Sequence, residues 1–294
     1  MRVGMAGLGV MGSAMARNLA GAGYLAGVWN RTGHRAEALA DELGVTRAET
    51  PAALAQACDE VITCVSADDD LREVVDAMRP GLRAGHLLVD TSTVGAATAE
   101  ALADALAARE VAFIDAPVTG GAEGAAAGTL QVMAGGDAAA LARVRPALEA
   151  IGSQVTHFGP SGFGQRAKAV NQVLAAGMVQ AISEALAFAD ASGLDTEQLL
   201  PVLGQGAVGS RLLERRGARM LAEDFEPGFR MALHEKDLRL SQALLQSLEV
   251  NLPMVEMTLK HYERLMAQGH GDEDMTALYR LKRELFRTGN RRSL

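Results

Sequence analysis

Apolar positions in the first 160 residues come in short runs, set apart by longer segments whose apolar residues recur with helical spacing. The runs fall at 2–7, 24–29, 61–65, 87–90, 111–114, 130–134 and about 154–158. Each has the length of a buried strand, and strands alternating with helices predict a doubly wound α/β sheet. The Ala-rich stretch 96–108 reads as a tightly packed helix, 36–43 as another, and 122–127 as a glycine-rich loop. Near residue 160 the rhythm changes. No convincing strand follows, and helical periodicity runs over 163–192, then in pieces near 195–203, 209–221, 230–249, 253–268 and 274–288. Gly193, Gly204, Gly206, Pro227-Gly228, Pro253 and Gly269-His270-Gly271 punctuate these pieces. The pattern predicts an α/β domain over 1–162 and an all-helical domain over 163–294, with a substrate cleft at their junction.

Composition narrows the class. A chain of 294 residues with 49% hydrophobic content can bury a large core. Its net charge of −8 argues against nucleic acid or an anionic membrane as the main partner. No stretch of about 18 uncharged apolar residues is present, so no membrane span is expected. The glycine motif begins at residue 7, so no signal or transit peptide is expected ahead of it. Cys58 and Cys64 flank the strand at 61–65 and suggest reduced thiols in a cytoplasmic protein. The six histidines show no metal-ligand spacing, so no metal is expected.

The most specific chemistry lies at the first strand–helix turn, Gly7-Leu8-Gly9-Val10-Met11-Gly12. Its first glycine permits a tight turn, the second lets backbone approach a pyrophosphate, and the third lets helix and strand pack closely. The helix N-terminus then offers unbonded N–H groups to the anion. With 32 Gly in the chain this spacing arises by chance about 0.4 times, so the flanking strand and helix supply the specificity. Together they predict a Rossmann domain. The strand Tyr24–Trp29 ends in Asn30-Arg31-Thr32, and Asn30 stands 21 residues after Gly9. NAD sites usually place Asp or Glu there, against the ribose 2′-hydroxyl. Here the acid is absent, and a guanidinium and a hydroxyl suit a 2′-phosphate. NADP is therefore expected, with NAD possible. On the plainer reading Arg31 and Thr32 only cap the helix at 36–43, which leaves the missing acid unexplained.

Two more constellations border the expected cleft. Asp115-Ala116-Pro117-Val118-Thr119-Gly120-Gly121 follows the strand at 111–114. It reads as a stiff loop whose N–H groups and one hydroxyl can hold a carboxylate, or simply as a turn. In Gly162-Phe163-Gly164-Gln165-Arg166-Ala167-Lys168-Ala169-Val170-Asn171-Gln172, helical spacing puts Lys168 on one face with Asn171 and Gln172. A lone lysine is usually a solvated charge. Apolar neighbours and an amide one turn on favour a working one.

Together these motifs resemble those of the β-hydroxyacid dehydrogenases, the group containing 3-hydroxyisobutyrate dehydrogenase and tartronate semialdehyde reductase. The resemblance covers essentially the whole chain. The family's substrate loop matches 115–121 with Thr119 in place of Ser, and its catalytic segment matches 162–172 with Gln172 in place of Asn. Its Lys-Asp-Leu near the nicotinamide matches Lys236-Asp237-Leu238, and the segments 90–93 and 269–274 are also similar. The chain departs from the family at Ser66, where many relatives have Pro, and at Asp70, where some have Asn.

The resemblance implies hydride transfer between NADP(H) and a small β-hydroxy acid or semialdehyde, with Lys168 as general acid/base and Asn171 orienting it or the substrate. It implies substrate contacts from Thr119, Gly120, Gly121, Gln172, Lys236 and Asp237, and nicotinamide contacts from Val65, Ser66, Thr93 and Lys236. Lysine has a reference pKa of about 10.4, so a second cation such as Lys236 would help it act as a base. Tartronate semialdehyde, glyoxylate, succinate semialdehyde and methylmalonate semialdehyde are candidate substrates. The alternatives are an NAD-dependent 3-hydroxyisobutyrate dehydrogenase and, in another class, a non-catalytic NADP-binding module. An imine reductase would share the fold without this lysine. The long helix at 163–192 carries apolar residues on more than one face, which together with the resemblance suggests a homodimer or homotetramer. The tail from Arg280 holds six Lys or Arg against Glu284 alone and reads as a solvated last helix with a frayed end.

Overall fold

The computed structural model describes residues 1–289. The chain divides into two compact units, Met1–Lys168 and Ala169–Leu294. In the first, the strands are β1 (Val3–Ala6), β2 (Leu25–Trp29), β3 (Thr46–Arg47), β4 (Glu60–Thr63), β5 (Leu87–Asp90), β6 (Ala112–Asp115), β7 (Val118–Thr119), β8 (Leu130–Gly136) and β9 (Gly152–Gly159). They form one sheet in the order β3-β2-β1-β4-β5-β6-β8-β7, with β9 beside β8. The strands β1 to β6 pair in parallel. β8 runs antiparallel to β6 and β7, and β9 lies parallel to β8. This is the expected Rossmann sheet. Its order reverses between β1 and β4, and a dinucleotide lies across the crevice at such a switch point.

Helices α1 (Val10–Gly21), α2 (Gly33–Leu43), α3 (Pro51–Ala57), α4 (Asp68–Met78), α5 (Ala96–Ala107), α6 (Gly121–Ala127) and α7 (Ala138–Ile151) cover the sheet. Neighbouring strand residues therefore bury on opposite sides. Val61, Leu88 and Phe113 pack with Leu54, Leu71, Val75 and Leu106, while Ile62, Val89 and Ile114 pack with Met15, Leu19, Leu39 and Val144. Each side chain so buried contributes about 1.5–3 kcal/mol. The continuous apolar runs of the sequence are the signature of strands covered on both faces.

Some details differ from expectation. Residues 122–127 are not a loop but most of α6. Alanine is the best helix former, Gly124 packs against Leu130, and the left-handed Gly128 supplies the C-cap. The last helical segment is split, with a 3₁₀ turn at Met275–Leu278 before the final helix. Asp274 forces the break by accepting hydrogen bonds from the Thr276 N–H and hydroxyl and from the Gly228 and Phe229 N–H groups.

The long helix α8 (Phe163–Ala191) leads into the second unit, followed by α9 (Thr196–Gln205), α10 (Arg211–Leu221), α11 (Met231–Ser247), α12 (Pro253–Ala267) and α13 (Tyr279–Gly289). By length and composition α8 could cross a membrane. Here it supplies the core of its unit, where Ala176, Val179 and Leu186 pack with Met231, Leu238, Leu259 and Tyr262. Three of the basic residues expected to be solvated on the last helix are paired instead. Arg280 bonds Glu273 and stacks on Phe225, buried Lys282 pairs with Glu184, and Arg283 pairs with Asp190 and Glu223. The frayed end expected beyond Gly289 lies outside the described residues.

Candidate active site

The glycine turn has the geometry that its spacing requires. A Cβ on Gly7, whose φ is 96°, would stand 2.2 Å from the Cys64 carbonyl oxygen, and one on Gly12 would stand 2.0 Å from the Gly7 carbonyl oxygen. Main chain thus packs on main chain at both ends of the turn. At Gly9 an added Cβ would meet nothing within 4 Å. That open side faces the first turn of α1, which has no side-chain cap and no acidic residue. Uncapped N–H groups beside open space fit the pyrophosphate of a dinucleotide. A groove of about 410 Å³ opens alongside, lined in part by Gly9, Val10, His34 and Arg35.

Asn30 braces this turn. Its Oδ1 accepts from the Leu8 N–H at 2.8 Å, and its Nδ2 donates to the Thr32 carbonyl at 3.1 Å. Thr32 stands at the N-cap of α2 without making a capping bond. Arg31 is exposed and donates to Asp70 at 2.8 Å, with Glu73 at 3.9 Å.

At the carboxyl ends of β4, β5 and β6, Thr63, Asp90 and Asp115 stand in register. Asp90 is fully buried and accepts from the Thr63 hydroxyl at 2.8 Å and the Ser92 hydroxyl at 2.6 Å. The Ser92 hydroxyl in turn accepts from the Val65 N–H at 2.8 Å, so the loops after β4 and β5 are tied together. Asp115, also fully buried, accepts from the N–H groups of Gly162 at 2.7 Å and Gln165 at 2.9 Å, which makes it the cap of α8. Burial pushes its carboxyl up to about 6 against those two bonds, and the Asp90 carboxylate adds to the rise. Gly164 is needed for this approach: a Cβ there would lie 2.4 Å from the Met133 carbonyl oxygen and 2.6 Å from that of Asp115.

One turn into α8, Lys168 is 6% exposed, and its Nζ donates to the Val118 carbonyl at 2.9 Å. Val118 begins the last part of the loop that continues through Thr119, Gly120 and Gly121 into α6. Thr93 and Val65 are half-buried, whereas Ser66 is exposed. In the second unit, Asn171 donates to Gln172 at 2.8 Å and Gln172 to Asp237 at 2.6 Å, while Lys236 pairs with Asp237 at 3.0 Å. The buried His234 faces the Gln172 carbonyl and the Tyr262 hydroxyl. Among the described residues no group of three or more His, Cys, Asp or Glu side chains is gathered for a metal.

Comparison with known proteins places this geometry. A family model described as the NAD binding domain of 6-phosphogluconate dehydrogenase matches residues 2–159. A second, described as NAD-binding of NADP-dependent 3-hydroxyisobutyrate dehydrogenase, matches 162–282. The chain is 36% identical to 2-hydroxy-3-oxopropionate reductase of Escherichia coli K12 over 281 residues, covering 95% of this chain and 96% of that one. It is 37% identical to a probable mitochondrial 3-hydroxyisobutyrate dehydrogenase-like protein of Arabidopsis thaliana, covering 94% and 84%. The chain belongs to the β-hydroxyacid dehydrogenase family. A solved 3-hydroxyisobutyrate dehydrogenase of Mycobacterium tuberculosis with L-serine superposes at a TM-score of 0.87, with 30% identity over 96% of this chain and all of that one.

This β-hydroxyacid dehydrogenase is thus an oxidoreductase that uses a nicotinamide dinucleotide and a small hydroxy acid. The geometry brings Lys168 to the loop that ends in Gly121, and joins Asn171, Gln172, Lys236 and Asp237 into one string. Sequence reasoning assigned no role to Asp90, Ser92, Gln165 or His234, and treated Asp115 only as the start of a loop. The signal available for Asp90 and Asp115 was positional: each is a carboxylate ending an otherwise apolar strand.

Proposed function

We propose that this dehydrogenase works with NADP(H) and reduces a small carboxylate-bearing semialdehyde or 2-oxo acid, with Lys168 giving the proton. The observation that carries the reading is the seat of Lys168, a buried amine fixed on the Val118 carbonyl beside Thr119, Gly120 and Gly121. Those three residues offer one hydroxyl and backbone N–H groups to the substrate carboxylate. A dinucleotide bound here would supply the hydride from its nicotinamide; Gly7, Leu8, Gly9, Val10, Met11 and Gly12 would hold its pyrophosphate and Asn30, Arg31 and Thr32 its adenosine ribose, with Val65, Ser66, Thr93 and Lys236 at the reacting end. As charge develops on the substrate oxygen, the Lys168 ammonium protonates it; in the oxidative direction the amine takes the hydroxyl proton. Asn171, Gln172, Lys236 and Asp237 are assigned to the substrate. Pairing with Asp237 offsets the charge of Lys236, so orientation of the substrate is its better-supported role.

NADP preference rests on Asn30-Arg31-Thr32 and on a comparison of magnitudes. An exposed ion pair such as Arg31–Asp70 contributes about 0–1 kcal/mol. A charge-assisted hydrogen bond to phosphate contributes about 1.5–3 kcal/mol, so the phosphate wins the guanidinium. One observation favours NAD-dependent oxidation of 3-hydroxyisobutyrate as the second reading: Asp70 and Glu73 surround Arg31 with negative charge. We assign assembly into a homodimer or homotetramer to the apolar side of α8, where Val170, Leu174 and Phe188 are exposed.

The deciding experiment is single-turnover oxidation of bound NADPH against a panel of semialdehydes and 2-oxo acids, in the parent and in Lys168→Ala. The variant should fold and bind NADPH while its turnover falls by about 10²–10⁴-fold. Reaction at the parent rate would remove Lys168 from the chemistry.

A further inference from the structure

Gln165 ties two parts of the candidate site together, and the reaction as described gives it no task. It lies in the first turn of α8, 3% exposed, and both ends of its amide are used on one short segment of main chain. Nε2 donates to the Ser92 carbonyl at 2.9 Å, and Oε1 accepts from the Val94 N–H at 3.2 Å. These two bonds bracket Thr93. The backbone N–H of Gln165 is fixed on Asp115, and one turn further along the helix Lys168 is fixed on Val118. On the other side, the Ser92 hydroxyl holds the Val65 N–H. Every one of these contacts lies within the first unit.

The chemistry leaves the amide one orientation. Flipped, it would set an NH₂ against the Val94 N–H and an oxygen against the Ser92 carbonyl, leaving two buried main-chain groups unsatisfied. A satisfied buried amide of this kind holds its distances rigidly. We propose that Gln165 is a positioning residue for hydride transfer, fixing the main chain on both sides of Thr93 relative to Lys168. The proposal rests on the reading above, in which Lys168 moves the proton and the Val65 and Thr93 segments face the nicotinamide. Misplacement of reacting groups by about 1 Å costs on the order of 10²-fold in rate, so loss of these two bonds should slow turnover by roughly 10- to 100-fold.

The test uses Gln165→Glu and Gln165→Leu beside the parent and Lys168→Ala. A protonated carboxyl repeats the amide pattern, with an O–H for the Ser92 carbonyl and an oxygen for the Val94 N–H. An ionised one has no donor. Asp115, Asp90 and, on α5, Glu100 are acidic and favour the protonated form of the introduced group; Lys168 and Arg166, the latter paired with Glu100 at 2.8 Å, oppose it. Because Asp115 titrates near 6, each variant is compared with the parent at every pH. Two quantities are measured from about pH 5.5 to about pH 8.5: amide hydrogen exchange over residues 92–95 in the ligand-free protein, and kcat and KM with NADPH. In Gln165→Glu, exchange and kcat should match the parent at the acid end and depart from it together at the alkaline end, with the KM for NADPH changing less. Gln165→Leu should be impaired throughout. If the two variants behave alike at every pH, or 92–95 exchanges as in the parent in both, the proposal is overturned. Lys168→Ala reacting at the parent rate would instead refute the lysine assignment. An inactive Lys168→Ala with unimpaired Gln165 variants would refute the positioning role alone.

Discussion

Asp115 should make the first unit less stable as the pH rises toward neutrality, and the size of the effect can be worked out. Its carboxyl titrates near 6 in the folded protein against 3.8 ordinarily, because burial penalises the charge. Between those values the folded chain keeps a proton that the unfolded chain has released. The stabilisation is therefore complete below 3.8 and lost as the pH passes 6. At 1.36 kcal/mol per unit, the difference amounts to about 3 kcal/mol. Asp115→Asn abolishes the titration. The asparagine oxygen keeps one of the two N–H partners and its NH₂ faces the other, costing about 1–3 kcal/mol at every pH. The stability difference between parent and variant should therefore swing by about 2.4 kcal/mol between roughly pH 4 and pH 7, with the parent losing ground. Denaturant titrations followed by Trp29, the single tryptophan and part of the same unit, provide the readout. Glu42 beside Arg17 and Asp224 beside Arg219 are held low and slope the other way in both proteins, so only the difference is diagnostic. A difference that stays flat across this range would refute the reasoning.

Three further outcomes are expected. Arg31→Ala should weaken NADPH by roughly 10- to 150-fold and leave NADH nearly unchanged in a fluorescence titration; equal weakening of both makes Arg31 structural. Gly164→Ala drives a methyl into the Met133 and Asp115 carbonyls, so the midpoint of thermal unfolding should drop by the equivalent of about 1–3 kcal/mol or more, and an unchanged midpoint would mean the approach is not tight. Light scattering at micromolar protein should give the mass of a dimer or tetramer, and a monomer would defeat the assignment of the α8 surface.

The sheet was legible because strands buried on both faces must be apolar at consecutive positions. The two-residue strands β3 and β7 are too short to leave such a pattern. In 121–127 the glycines hid a helix that alanine forms readily, since a close contact at Gly124 looks like a turn until Leu130 is placed beside it. The dinucleotide turn could be read because its glycine spacing and its flanking strand and helix are local to the motif, even though the carbonyl that crowds Gly7 comes from Cys64. Gln165 could not, because its partners lie 71 and 73 residues away and nothing in its own neighbourhood anticipates them. Arg280, Lys282 and Arg283 read as solvated because their partners Glu184, Asp190, Glu223 and Glu273 all lie outside the segment.

Lys168, Gln165 and Asp115 all grip main-chain atoms: the Val118 carbonyl, the Ser92 carbonyl and Val94 N–H, and the Gly162 and Gln165 N–H groups. Such atoms are identical whatever side chain they carry. Residues at 93 and 118 can therefore be exchanged over generations without giving these three side chains a different partner, provided the backbone path is kept. Variation in what the loops present to a ligand is decoupled from the scaffold that aims the lysine. A scaffold built this way lets the side chains at 93 and 118 change what they present to a ligand while Lys168, Gln165 and Asp115 keep the same partners.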